Sequence, residues 1–210
     1  MLYPKKFWRI QQLFKMSYIV LIQTFSIINS RTEDFNSDTR TTAATLLQSL
    51  LKFETILTAQ LNLNIFRSIG PLSKYLQTDG MDIIKAQQMV DSTTAILRKE
   101  QRNIEDILKS AENFVQLANN ELELIESEIV VEDCLPNIRT RRKREMAGET
   151  ADDNPPATAI SKFEIEVHNV AMDCIINKME ESFSKTREMY ADFACLDPHN
   201  FSKPYYYIMR

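Results

Sequence analysis

The sequence predicts an all-α fold. Three observations carry this. The chain of 210 residues has only three glycines, where average usage of roughly 7% would give about 15. Apolar residues recur at helical spacing over long runs free of glycine and proline. Segments of alternating polarity joined by two-residue turns, the sequence mark of hairpins, are missing. So few glycines also count against dinucleotide-binding turns and phosphate loops. Hydrophobic residues at 44% and charged residues at 26% are those of a folded chain. The predicted architecture is two long antiparallel helices plus a C-terminal helix, with a disordered charged linker between them.

Residues 1–40 form an N-terminal apolar segment and a polar linker. Lys5, Lys6, Arg9 and Lys15 precede the apolar run Met16 to Ile28, which Ser17, Gln23, Thr24 and Ser26 interrupt. That run is shorter than the roughly 20 residues needed to span a bilayer. A basic stretch before a short apolar run has the form of a signal peptide, but no small-x-small cleavage site follows. The segment therefore reads as an apolar element packed on the body of the protein, with an anchor as the alternative. The polar stretch Arg31 to Arg40 follows, with Asp38 or Thr39 placed to cap the next helix.

Residues 41–130 read as a helical hairpin. Its first helix runs from Thr41 to Ile69. Leu46, Leu50, Phe53, Leu57 and Leu61 lie on one face, and Gly70-Pro71 is expected to end it. Thr78-Asp79-Gly80 makes a turn. The second helix is expected from Asp82 to Glu128, about 65 Å at 1.5 Å per residue. Ile83, Val90, Leu97, Ile104, Ala111, Ala118 and Ile125 recur every seventh residue and are all apolar. The companion seam is polar at Gln87, Thr94 and Gln101, then apolar at Leu108, Val115 and Leu122. The expected helix-packing core is Ile83, Val90, Leu97, Ile104, Leu108, Val115 and Leu122. A polar first half suits packing within one chain better than a symmetric zipper. The acidic run from Glu121 to Glu128 opposes the helix dipole, so the end frays toward Leu122.

Residues 131–162 read as a flexible charged linker containing Pro136, Gly148, Pro155 and Pro156. Residues 163–210 form a C-terminal helix and a tail. The stretch FEIEV at Phe163 alternates like a strand. Phe163, Val167, Val170, Cys174, Ile175, Met179 and Phe183 also suit a helix drifting across one face, and length favours the helix.

Net charge is −4, so bulk electrostatics do not point to nucleic acid. The local exception is Arg139, Arg141, Arg142, Lys143 and Arg144 in the linker. Such a run serves as a nuclear localisation signal, a contact to phosphates, a furin-type cleavage site in a secreted chain, or only a solvated charge run. Three unpatterned cysteines, Cys134, Cys174 and Cys195, argue for a reducing compartment. With His168 and His199 they are too few for a structural zinc set. Asp192 and Asp197 lack the partners of a catalytic site. No catalytic, metal or cofactor residue is assigned, and no enzymatic activity is expected.

Four blocks carry a family resemblance. LLQSLLKFETILTAQL (Leu46–Leu61), GPLSKYLQTDGMDIIKAQQMV (Gly70–Val90), VHNVAMDCII (Val167–Ile176) and YADFACLDPHNF (Tyr190–Phe201) resemble hAT-family transposase-derived proteins. Zinc-finger MYM-type and THAP-linked proteins are among these. The resemblance implies a fragment of a larger RNase H-like transposase fold, namely its all-helical insertion. The family's Asp-Asp-Glu triad and zinc finger would lie outside this chain, and no residue here matches a triad member. The implied function is a protein partner or self-association in a nuclear scaffold. DNA would be met only through missing domains or the basic linker, and a membrane role is not expected. Part of an active transposase, a cytoplasmic location, and a secreted or membrane-anchored helical protein are the alternatives.

Overall fold

The computed structural model describes the backbone of residues 3–138 and 158–194, and side chains of 16–138 and 158–184. All regular structure among them is helical. The helices are α1 (Tyr3–Ser30), α2 (Ser37–Leu50), α3 (Phe53–Leu76), α4 (Ile83–Glu100), α5 (Glu105–Leu124), α6 (Ala159–Phe163) and α7 (Val170–Ala194). A π-helical turn, Glu164–Asn169, joins α6 to α7. The chain forms two units, residues 1–62 with 105–160, and residues 63–104 with 161–210.

In the first unit α1 packs on α2 and α5. Ile22 is fully buried. The Tyr18 ring meets Phe114 edge-on at 5.2 Å, and its hydroxyl donates to the Leu50 carbonyl at 2.7 Å. Burial raises the Tyr18 pKa far above the ordinary tyrosine value. A raised folded-state pKa means that the folded chain holds its proton where the unfolded chain has lost it. Stability is then full below about pH 10 and falls as pH rises further. The expected result is a decline in alkaline denaturation midpoints that Tyr18→Phe reduces, checked by denaturant titrations across pH 9 to 11.

The first expected long helix is divided. α2 starts at Asn36, whose side chain accepts from the Thr39 amide at 2.8 Å, so Asn36 caps the helix rather than Asp38 or Thr39. It stops at Leu50, and α3 begins at Phe53, with no glycine or proline between. The reason lies in where the carbonyls go. Ser49 O accepts from the Thr55 hydroxyl at 2.6 Å, Leu50 O from Tyr18, and Leu51 O from the Glu132 amide at 2.9 Å. Tertiary donors satisfy the helix end and replace the next turn's amides.

Gly70-Pro71 does not terminate α3, which continues through both to Leu76. The missing proline N–H removes one hydrogen bond, a loss that one residue of a 24-residue helix sustains when flanking turns are packed. Leu72, directly after, is buried. A Cβ added at Gly70 would meet nothing within 4 Å. Gly70→Ala is therefore expected to stabilise the chain by about 0.5–1 kcal/mol through reduced unfolded-state entropy, read by urea denaturation.

The turn before α4 forms around Gly80, whose φ of 69° is one that glycine adopts without Cβ strain. Asp82 caps α4, its Oδ1 accepting from the Ile84 and Lys85 amides at 2.9 and 3.2 Å. The Tyr75 hydroxyl accepts from the Asp82 amide at 3.1 Å and holds the turn to the end of α3.

The second long helix is also divided, α4 ending at Glu100 and α5 starting at Glu105. Between them the Asn103 amide donates to Glu100 O at 3.0 Å. On either side of this break the repeat is buried, Leu97 and Ile104 in the second unit and Ala111 in the first. Val90, Val115, Ala118 and Leu122 are buried too. Leu108 is only half-buried and Ile107 takes the core position beside it. Ile83 and Ile125, the outermost of the series, are exposed. Thr94, from the polar seam, is buried with its hydroxyl donating to Val90 O at 2.9 Å.

α5 ends at Leu124. The Ser127 amide returns to Leu122 O at 3.0 Å, and Glu126 takes φ 54°. This is the Schellman closure with a glutamate where glycine is usual. Glu126→Gly is expected to gain about 1 kcal/mol by removing Cβ strain and an acidic charge beside the helix C-terminus. A rise in thermal midpoint checks it.

The start of the expected flexible linker is held. Val131 is buried, and Asn119 grips its peptide groups from both sides. The Asn119 Oδ1 accepts from the Val131 amide at 2.8 Å, and Nδ2 donates to the Val131 carbonyl at 3.1 Å. Residues 139–157 of that linker lie outside the described residues.

In the second unit α4 packs on α7. Arg98 pairs with Glu180 and Gln101 bonds to Asp173 along the exposed edge of that contact. Among the described side chains, Phe163, His168, Met172 and Ile176 are the buried residues of the C-terminal helical segment. Their spacing of five, four and four follows from the π turn, which takes one more residue per hydrogen-bonded ring than an α turn. The extra residue rephases the helix. Val170 and Cys174, expected on the core face, are exposed for this reason.

Candidate functional site

Two surfaces and one buried group stand out. The first surface is a groove of about 290 Å³ in the second unit. Ile69, Leu72, Ser73 and Leu76 line it from the C-terminal half of α3, Gln77 from just beyond that helix, and Met179 and Phe183 from α7. Its walls are mostly aliphatic and aromatic, with Ser73 and Gln77 as polar groups at hand. Such a lining offers apolar contact with a little directional hydrogen bonding, which suits a side chain of a protein partner. The groove exists because α3 runs past Gly70-Pro71, and a helix ended there would remove Leu72 and Leu76 from it.

The second surface is the outer face of α1. Met16, Val20, Leu21 and Ile27 are exposed there, while Tyr18 and Ile22 are buried. No helix among the described residues is long and apolar enough to cross a membrane.

The buried group is His168. It is fully enclosed, its Nδ1 lies 3.1 Å from Asn169 Oδ1, and its Nε2 has no hydrogen-bond partner. π turns are frequent at functional positions. Here, however, no group of three or more His, Cys, Asp or Glu is gathered among the described residues. His168 fills the core at the rephased turn.

The described thiols are exposed at Cys134 and Cys174. A hydrogen bond from Cys134 to Asp133, and the charge of that carboxylate, push the Cys134 pKa up. A raised pKa leaves little thiolate and a poor nucleophile. Cys195, Asp197 and His199 lie outside the described residues, as do Arg139, Arg141, Arg142, Lys143 and Arg144. Asp192 falls in α7 beyond the described side chains. Of the seven expected packing residues, the structure places Val90, Leu97 and Ile104 in the second unit's core and Val115 and Leu122 in the first's. Sequence reasoning missed the groove. Its signal was present in Leu72 and Leu76 after the proline, at the i+4 spacing of one helical face.

No family model, curated protein or solved structure matches the chain.

Proposed function

We propose that the chain is a non-catalytic, protein-binding helical segment of hAT transposase-like type, working as a scaffold in the nucleus. The observation that carries the binding role is the apolar groove between α3 and α7. The transposase origin rests on the four sequence blocks from Leu46 to Phe201. On that reading the chain is a piece of the helical insertion of an RNase H-like fold. Residues 41–130, which hold most of α2 and all of α3 to α5, then supply part of that insertion. The basic run Arg141 to Arg144 supplies nuclear import or a phosphate contact.

A photocrosslinking residue at the exposed Ser73 tests the binding role. The expected result is a discrete protein adduct in nuclei that Leu76→Asp abolishes. A chain that stays cytosolic and forms no adduct overturns the proposal. The transposase origin predicts neighbouring reading frame encoding the missing Asp and Glu blocks, and a full transcript without them removes that part.

A further inference from the structure

We infer that α1 docks in the plane of an anionic phospholipid surface through the face turned away from the protein core. Met16, Val20 and Ile27 form an exposed stripe. On a 100° wheel Met16, Val20 and Ile27 fall within one narrow sector. Tyr18 and Ile22 fall on the opposite side, where they are buried against the rest of the first unit. The inner face thus holds the helix in the fold while the outer face has no cover among the described residues.

Charge selects the occupant. From Tyr3 to Ser30 the helix contains Lys5, Lys6, Arg9 and Lys15 and no aspartate or glutamate, in a chain whose net charge is −4. Along the sequence of the helix the cations come first and the uncharged run from Met16 follows. A surface that offers anionic headgroups over acyl chains satisfies both kinds of residue together. A nucleic acid would satisfy the cations and leave Val20 and Ile27 uncovered. A second copy of α1 in parallel would set cation against cation. The stretch from Met16 to Ser30 is uncharged yet too short to span, so the helix lies in the interface and does not cross it. This inference is independent of the transposase reading.

Vesicle co-sedimentation of the full chain tests it. Binding to phosphatidylcholine vesicles containing about a third phosphatidylserine is expected to be at least tenfold tighter than to phosphatidylcholine alone, and to weaken as salt rises. Val20→Asp with Ile27→Asp, both exposed positions, is expected to lower binding about tenfold or more with an unchanged circular-dichroism spectrum. Lys6→Glu with Arg9→Glu is expected to remove the preference for phosphatidylserine. Equal affinity for the two vesicle types, no binding, or full binding by the Val20→Asp, Ile27→Asp variant overturns the inference. So does a dimer that this variant dissociates without any vesicle binding by the parent chain, which assigns the face to a second copy.

Discussion

Leu97→Asp is expected to lower stability by about 4 kcal/mol or more, enough to unfold a marginal helical unit. Leu97 is fully buried on α4, the helix that packs on α7. Its flanking seam residues Val90 and Ile104 are buried as well, so the carboxylate would enter an apolar layer. The nearest fixed cation on the same helix, Arg98, points to Glu180 at an exposed edge. The ion therefore gains no partner without opening the α4–α7 contact. Circular dichroism with urea titration checks the result. Leu97→Met conserves volume and is expected to cost under about 1.5 kcal/mol. Equal stability of Leu97→Asp and the parent would show that this seam is not the core of the unit.

The second large effect is expected at Asn119. Its carboxamide makes both hydrogen bonds to the peptide groups of the buried Val131, and the adjacent Glu132 amide closes on Leu51 O. Asn119→Ala leaves a buried amide and a buried carbonyl without partners, a loss of about 2–3 kcal/mol. Local opening should precede global unfolding, because residues 132–134 are exposed and Val131 and the Glu132 amide hold the backbone of that stretch. Hydrogen exchange at the Val131 amide is expected to accelerate at least tenfold at that energy. Asn119→Asp keeps the acceptor for the Val131 amide but sets a carboxylate oxygen against the Val131 carbonyl, so exchange should accelerate there too. Unchanged protection in Asn119→Ala would mean that burial of Val131 alone holds the segment.

Both predictions depend on features of different legibility. The seam through Leu97 was readable because a seven-residue apolar repeat states its own face. The grip of Asn119 on Val131 was not readable, because an asparagine near a helix end has no sequence mark that distinguishes a tertiary clamp from a solvated amide. The same contrast applies at the helix boundaries. Asp82 lies where the expected second helix begins, and its short carboxylate caps locally. The division after Leu50 depends on Tyr18 and Glu132, which are remote in sequence. Gly70-Pro71 misleads by the same logic, since local breaker chemistry is outweighed when Leu72 and Ile65 bury on either side.

For the candidate site, composition excluded phosphate loops and offered too few ligands for a zinc set. The groove needed tertiary structure, because α3 and α7 are distant in the chain. The α1 surface is intermediate. Its charge asymmetry is visible in the sequence, but which side of the helix the core takes is not.

By itself the sequence determined that the chain is helical and that the apolar repeat from Val90 to Leu122 is largely buried. Both follow from period and composition, which are local properties of a helix. Only the tertiary structure decided where the helices break, which turn takes the π form, and which apolar residues stay uncovered. Those depend on where distant carbonyls, hydroxyls and side chains meet. Scarcity of glycine removes tight turns from a chain; it does not fix where a helix must stop.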